Sequence, residues 1–275
     1  MLPDHLHAVC VSTGEAFDDL DIHRLYNMLR RHCPIPFTLH CMTDRPRNVP
    51  PAVQVHVLDD WHELERPDMR QTTKKLRLFA EHGMPAPEFL YMDVSLVIRS
   101  DMRDMLEFAF NSPADLVIVP HWRNEGFNSS VMRIRRGALS VIYDAFRAGE
   151  HYVQTVKGDQ EFIYFSLRAR NMLDRTMTFP DGQIISYKTT RRLDRKDHKR
   201  ASARLANAII VKFHGRPKPA QVLGGFWESL HARLRRSGNF GRRDLQEHWR
   251  LPASWPELEE PQTGQQRPIA VEQHK

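Results

Sequence analysis

The sequence predicts an α/β layered fold, a mixed but mostly parallel central sheet with helices on both faces. Two observations carry that expectation. Strand-like and helical hydrophobic periods alternate along the chain, and the first hundred residues follow the order β-α-β-β-α-β. In such sheets ligands collect beyond the carboxyl ends of the strands.

LHAVCVST, residues 6–13, is a short β-rich run closed by Gly14. Phe17, Leu20, Leu25, Met28 and Leu29 then recur at helical spacing until Pro34 and Pro36 stop the helix. FTLHCMTD (37–44) and VQVHVLD (53–59) are the next two strands. TTKKLRLFAEHG predicts an α-helix with a threonine N-cap, Leu76 and Phe79 on one face, and Gly83 as its stop. YMDVSLVIRS, residues 91–100, follows as one buried strand carrying Asp93, so that Asp44 and Asp93 both stand near strand ends.

The second half continues the alternation. ADLVIVP (114–120) and FNSSVMRI (127–134) read as strands, 137–147 as a helix, and DQEFIYFSLRAR (159–170) as an amphipathic helix with Asp159 in its first turn, where the helix dipole favours negative charge. ANAIIVKFHG (206–215) is a late buried strand ending in a glycine turn. No internal repeat interrupts residues 1–251, which are expected to form a single domain. The segment 188–204 carries eight Lys/Arg against Asp194 and Asp197 and is expected to be a solvated basic loop. Residues 252–275, rich in Pro, Gln and Glu, are expected to be a poorly ordered tail.

With 275 residues, 41% of them hydrophobic and 9% aromatic, the chain has globular composition and can bury a sizeable core. A formal charge of +6 favours anionic partners. Nucleic acid is not expected among them: there is no helix-turn-helix signal, no RNP-like aromatic pattern and no zinc finger. Cys10, Cys33 and Cys41 are odd in number and lack CxxC spacing, which fits inert thiols in a reducing compartment. With no signal-like start and no apolar run long enough for a bilayer, a cytoplasmic protein is expected, with contact to the inner face of a membrane left open.

Five segments in order, TTKKLRLF, YMDVSLVI, FNSSVMRI, GDQEF and KFHGRPKP, resemble the motifs of glycogenin-like retaining glycosyltransferases, family 8, and of the bacterial sugar transferases related to them. The resemblance implies a GT-A-type nucleotide-sugar-binding fold. It implies transfer of a sugar from a nucleoside diphosphate sugar, most often a UDP-sugar, to a glycan, lipid-linked or protein acceptor, with retention at the anomeric carbon.

By position in those motifs, Asp159 and Gln160 become the catalytic candidates. Donor-binding roles fall to Lys75, Asp93, Ser95, Asn128, Ser129, Lys212, Gly215 and Lys218, with Thr13 and Asp44 at the ends of the first two strands. In that family the leaving diphosphate is usually met by Mn²⁺ or Mg²⁺, held by hard oxygen ligands.

Two departures touch the metal. Ser95 stands where the second acidic residue of the YLDADxxV pattern belongs, and Lys212 stands where the HxxGxxKP pattern has its ligand histidine. A hydroxyl is a poor ligand beside a carboxylate, and an ammonium cannot bind a cation. Three readings stay open: lysines replace the ion, His214 joins Asp93 as a weak metal ligand, or the chain keeps the fold as a non-catalytic sugar-nucleotide or glycan-binding protein. The pairs His121-Trp122 and His248-Trp249 are left outside the site, as packed residues.

Overall fold

The computed structural model describes residues 1–152, 158–224 and 240–251. Its strands are β1 (Leu6–Ser12), β2 (Phe37–Thr43), β3 (Val53–Val57), β4 (Glu88–Met92), β5 (Leu96–Ile98), β6 (Leu116–Pro120), β7 (Phe127–Arg135), β8 (Thr176–Thr178), β9 (Ile184–Ser186) and β10 (Ile210–Lys212). A seven-stranded sheet has the order β3-β2-β1-β4-β7-β6-β8, and a three-stranded sheet the order β5-β10-β9. In the larger sheet only β7 runs against its neighbours, β4 and β6; the other pairings are parallel.

The alternation of side chains along each strand builds two apolar layers. β1 sends Leu6, Ala8 and Cys10 to one face, against Ile22, Leu25 and Leu29 of α1 (Asp19–His32), and Val9 to the other. β4 divides likewise, with Leu90 and Met92 on the first face and Phe89 and Tyr91 on the second. The second layer is closed by α3 (Val141–Arg147) and α4 (Asp159–Ala169), through Phe146 and Phe162. Each such side chain contributes roughly 1.5–3 kcal/mol on full burial, so helices cover both faces as expected. Cys10 and Cys41 face each other across β1 and β2, both fully buried and free, the inert state expected of them.

The stretch 91–100 is not one strand. β4 ends at Met92, the chain bends through Asp93, Val94 and Ser95, and β5 belongs to the other sheet. The helix over TTKKLRLF is a 3-10 helix, Gln71–Phe79, with Arg70 at its cap and no side-chain capping bond. Thr73 is buried and donates to Leu64 O and Arg70 O instead. Strand β10 is shorter than the apolar run 206–215, because Ala206 ends a helix.

The basic segment is not a loop but a helical hairpin, α5 (Tyr187–Asp194) and α6 (His198–Ala206). Ser186 caps the first helix, accepting from Thr189 N at 3.1 Å, and Asp197 caps the second, accepting from Arg200 N at 2.9 Å. Thr190, Ala201 and Leu205 are buried beneath the hairpin. Periodicity also left unread α2 (Arg103–Asn111), the edge strands β8 and β9, and a last helix, Arg242–Trp249. The expected tail, 252–275, lies outside the described residues.

Histidines from the three parallel strands form a hydrogen-bonded row across the sheet. His7 Nδ1 meets His40 Nε2 at 3.1 Å, and His40 Nδ1 meets His56 Nε2 at 3.0 Å. Burial, then the neighbouring His56, His7 and His5, push the His40 pKa down to about 3. An unfolded histidine titrates near 6.5. From about pH 6.5 down to about 3 the unfolded chain therefore binds the extra proton, and this stability, full above pH 6.5, is lost as pH falls. His40→Gln is expected to flatten the fall in unfolding free energy between pH 6.5 and 5 by up to about 1.4 kcal/mol per pH unit, measured by urea titration; an unchanged slope would sink the assignment.

Candidate functional site

Asp93 lies where the chain leaves the large sheet for the small one. Its backbone N–H donates to Ser130 O at 2.8 Å, which ties the crossing to β7. Opposite it, β7 bulges. Ile118 of β6 pairs with Met132, yet the next residue, Val119, pairs with Asn128, leaving Ser129, Ser130 and Val131 without partners on β6. Such a bulge re-aims side chains, and here Asn128, Ser129 and Ser130 all line the cleft. The N-terminus of α4 enters from the same side with Gly158, Asp159 and Gln160. The cleft holds about 400 Å³.

Two lysines converge on Asp93. Lys75, on the 3-10 helix, places Nζ 2.8 Å from Asp93 Oδ1 and 3.4 Å from both Asp159 Oδ2 and Ser129 Oγ. Lys212 ends β10 and is 4% exposed. The antiparallel pairing sets it opposite Leu96, and Phe213 N donates to Ser95 O at 3.0 Å. From there its Nζ donates to Asp93 Oδ2 and to Ser95 Oγ. Tyr91 OH donates to Asp93 Oδ1 at 2.6 Å.

Burial alone would raise the Asp93 pKa, but Lys212 and then Lys75 outweigh it and hold the carboxyl well below the usual range. Burial also works against the Lys75 charge, yet Asp159 and Asp93 together push its pKa up. Lys212 has one carboxylate against both burial and the like charge of Lys75, so its pKa is pushed down to about 8. Burial raises Tyr91 well above a free phenol, and Asp93 adds to the rise.

Around this core, Ser129 Oγ donates to Asp159 Oδ2, and Asn128 Nδ2 donates to Gln160 Oε1 at 3.1 Å. Lys218 sits over the Phe17 ring at 4.5 Å, its pKa lowered by burial. His214 stacks on Trp122 at 5.3 Å and meets Ser186 Oγ through Nδ1 at 3.1 Å. Burial, with Lys188 and Lys212 nearby, pushes its pKa down to about 4, so the ring is neutral.

Of the residues singled out in the sequence, eleven line one cleft: Lys75, Asp93, Ser95, Asn128, Ser129, Asp159, Gln160, Lys212, His214, Gly215 and Lys218. Thr13 and Asp44 do not. Asp44 is occupied with the turn after β1, where Oδ2 accepts from Gly14 N at 2.7 Å. His121 and Trp122, set aside as packing residues, do line the cleft. The other pair, on the last helix, packs on α1, with Arg24 4.0 Å over Trp249. Tyr91, which the sequence motifs do not mark as a site residue, joins the cluster from the end of β4, two residues before Asp93.

The donor set does not suit a divalent cation. Both oxygens of Asp93 are engaged by ammonium groups, and the Ser95 hydroxyl accepts from Lys212. Neutral His214 is held by Ser186 and Trp122. Among the described residues, no three His, Cys, Asp or Glu are grouped to hold a metal ion. In place of the weak Asp93–His214 ligand pair that the sequence left open, Asp93 is paired with two cations.

No protein-family model matches this chain, and no curated protein matches it by sequence. Solved structures do. The glycosyltransferase GlyE of Streptococcus pneumoniae TIGR4 aligns with a TM-score of 0.56 at 13% identity, over 89% of this chain and 63% of that one. The galactosyltransferase LgtC, solved with donor and acceptor sugar analogs, aligns with a TM-score of 0.56 at 12% identity, over 91% and 99%. The bifunctional glycosyltransferase WbbM aligns with a TM-score of 0.50 at 11% identity, over 89% and 52%. At such identities the likeness is one of fold: the chain has the GT-A architecture of these glycosyltransferases.

Proposed function

We propose that this protein transfers a glycosyl group from a nucleoside diphosphate sugar, a UDP-sugar as the expected donor class, with lysine charge in place of a metal ion at the diphosphate. The observation that carries this reading is Lys212, buried and bound to both Asp93 and Ser95, the two positions where an acid-x-acid pair would otherwise gather a cation. Departure of a nucleoside diphosphate builds negative charge on the β-phosphate, and preorganised positive charge is what that step most needs. Lys212 and Lys218 line the cleft on the side of His214 and Gly215 and supply it.

In the transfer, the bond from the anomeric carbon to the diphosphate oxygen breaks and its electron pair leaves with the phosphate. The acceptor hydroxyl bonds that carbon from the same face, and its proton passes to the departing phosphate oxygen. The Gln160 amide oxygen, held by Asn128, stabilises the electron-poor anomeric carbon, and Asp159, fixed by Ser129 and Lys75, orients sugar hydroxyls. The acceptor is a glycan, a glycolipid or a protein.

A second reading, a non-catalytic sugar-nucleotide-binding protein on the same scaffold, is favoured by one feature: Asp93 is already neutralised by its own chain. Turnover separates the two. A UDP-sugar is expected to raise the melting temperature above GDP- and CMP-sugars, and its hydrolysis is expected to persist in EDTA. Absence of hydrolysis with intact binding would favour the second reading, and hydrolysis only with Mn²⁺ would remove the lysine-based one.

The paired change should be reversible by design. Ser95→Asp with Lys212→His is expected to make the donor-induced thermal shift dependent on Mn²⁺, whereas the parent shift is indifferent to it. Gln160→Ala is expected to leave donor affinity within about threefold while lowering turnover by roughly 10²-fold, the scale of losing one preorganised polar contact; full turnover in this variant would take Gln160 out of the mechanism.

A further inference from the structure

The α5–α6 hairpin begins as a wall of the cleft. Ser186 both caps α5 and meets His214, and Thr189, in the first turn, lines the cleft. The hairpin is anchored rather than loose. Arg204 of α6 pairs with Asp181 at 2.6 Å, and Arg99 Nη1 donates to Ala206 O at 2.7 Å.

α5 is eight residues long, roughly 12 Å at 1.5 Å per residue, with its first turn at the cleft. At its far end Arg192, Arg195, Lys196, Lys199 and Arg200 are all exposed, and none has an ion-pair partner among the described residues. The nearby acids are spent locally: Asp194 pairs with His198, and Asp197 caps α6.

We propose that this basic tip docks on an acidic phospholipid surface and so presents the cleft to an acceptor carried by the bilayer. The acceptor part of the proposal rests on the glycosyl-transfer reading; the docking part does not. Several features select a bilayer over other polyanions. The large apolar residues of the hairpin, Tyr187 and Leu205, are buried and Leu193 is half-buried, so the tip offers charge without a large exposed apolar face, as electrostatic adsorption requires. Residues 188–204 contain no Phe, Tyr or Trp, and single-stranded nucleic acid would need such rings to stack its bases. With the cleft at the first turn of α5 and the basic residues at its other end and beyond, the two lie along one short helix, a separation that suits a hydroxyl on a short glycan standing above the headgroups.

The test is co-sedimentation of the full chain with vesicles of phosphatidylcholine alone and with added phosphatidylglycerol, with an oligonucleotide and inorganic phosphate as competitors. Sedimentation is expected with the acidic vesicles only, and it should be reversed by high salt. Arg192→Glu, Arg195→Glu, Lys199→Glu and Arg200→Glu together are expected to lower partition at least a hundredfold, at roughly fivefold per cation, while the UDP-sugar thermal shift stays as in the parent. Equal binding to neutral vesicles, undiminished binding by the fourfold variant, or release by the oligonucleotide or by inorganic phosphate at unchanged ionic strength would overturn the docking surface. Loss of the UDP-sugar shift in the parent chain would overturn the transferase reading instead, whatever the vesicles show.

Discussion

Asp93 keeps its charge in a buried place because two ammonium groups meet it there, and the surrounding architecture is arranged to deliver them. Lys75 comes from a short helix beneath the large sheet and Lys212 from the end of a strand in the small one. Taking a carboxylate and two ammonium groups out of water costs several kcal/mol for each ion, and the mutual attraction, with hydroxyls from Tyr91 and Ser95, offsets that cost. Removing one member would strand the rest, so the three charges form a unit and not a set of separate contacts.

That unit also makes chemical sense of a metal-poor donor set. A cation held by two carboxylates and an imidazole brings concentrated charge to a diphosphate, whereas an ammonium brings a single charge with three directional donors. Lys212 spends two of its donors within the chain. Under the proposed transfer an arriving phosphate would compete with Asp93 for it, and Lys218, resting on Phe17 with no carboxylate ion pair among the described residues, would be the readier of the two cations.

Much of this was legible beforehand, for physical reasons. The apolar runs of β1, β2, β6 and β7 are buried on both faces and therefore read plainly, and eleven of the marked residues meet in one cleft because motif order tracked strand ends. What stayed hidden depended on partners distant in sequence. The break at Asp93 is imposed by β10, which draws Leu96–Ile98 into a second sheet. Charge at 188–204 masked a helical hairpin whose buried positions are only Tyr187, Thr190, Ala201 and Leu205. Three-residue strands such as β8 and β9 carry too few side chains to show a period.

The bulge in β7 has a mechanical side. Because Ser129, Ser130 and Val131 leave the ladder with β6 while Val131 still pairs with Met92, the strand carries slack at the one point where it touches Asp93. A regular strand there would transmit any shift of β6 straight into the charged cluster. Slack beside the crossing uncouples residues 129–131 from β6, so the buried charges keep their spacing when that strand shifts.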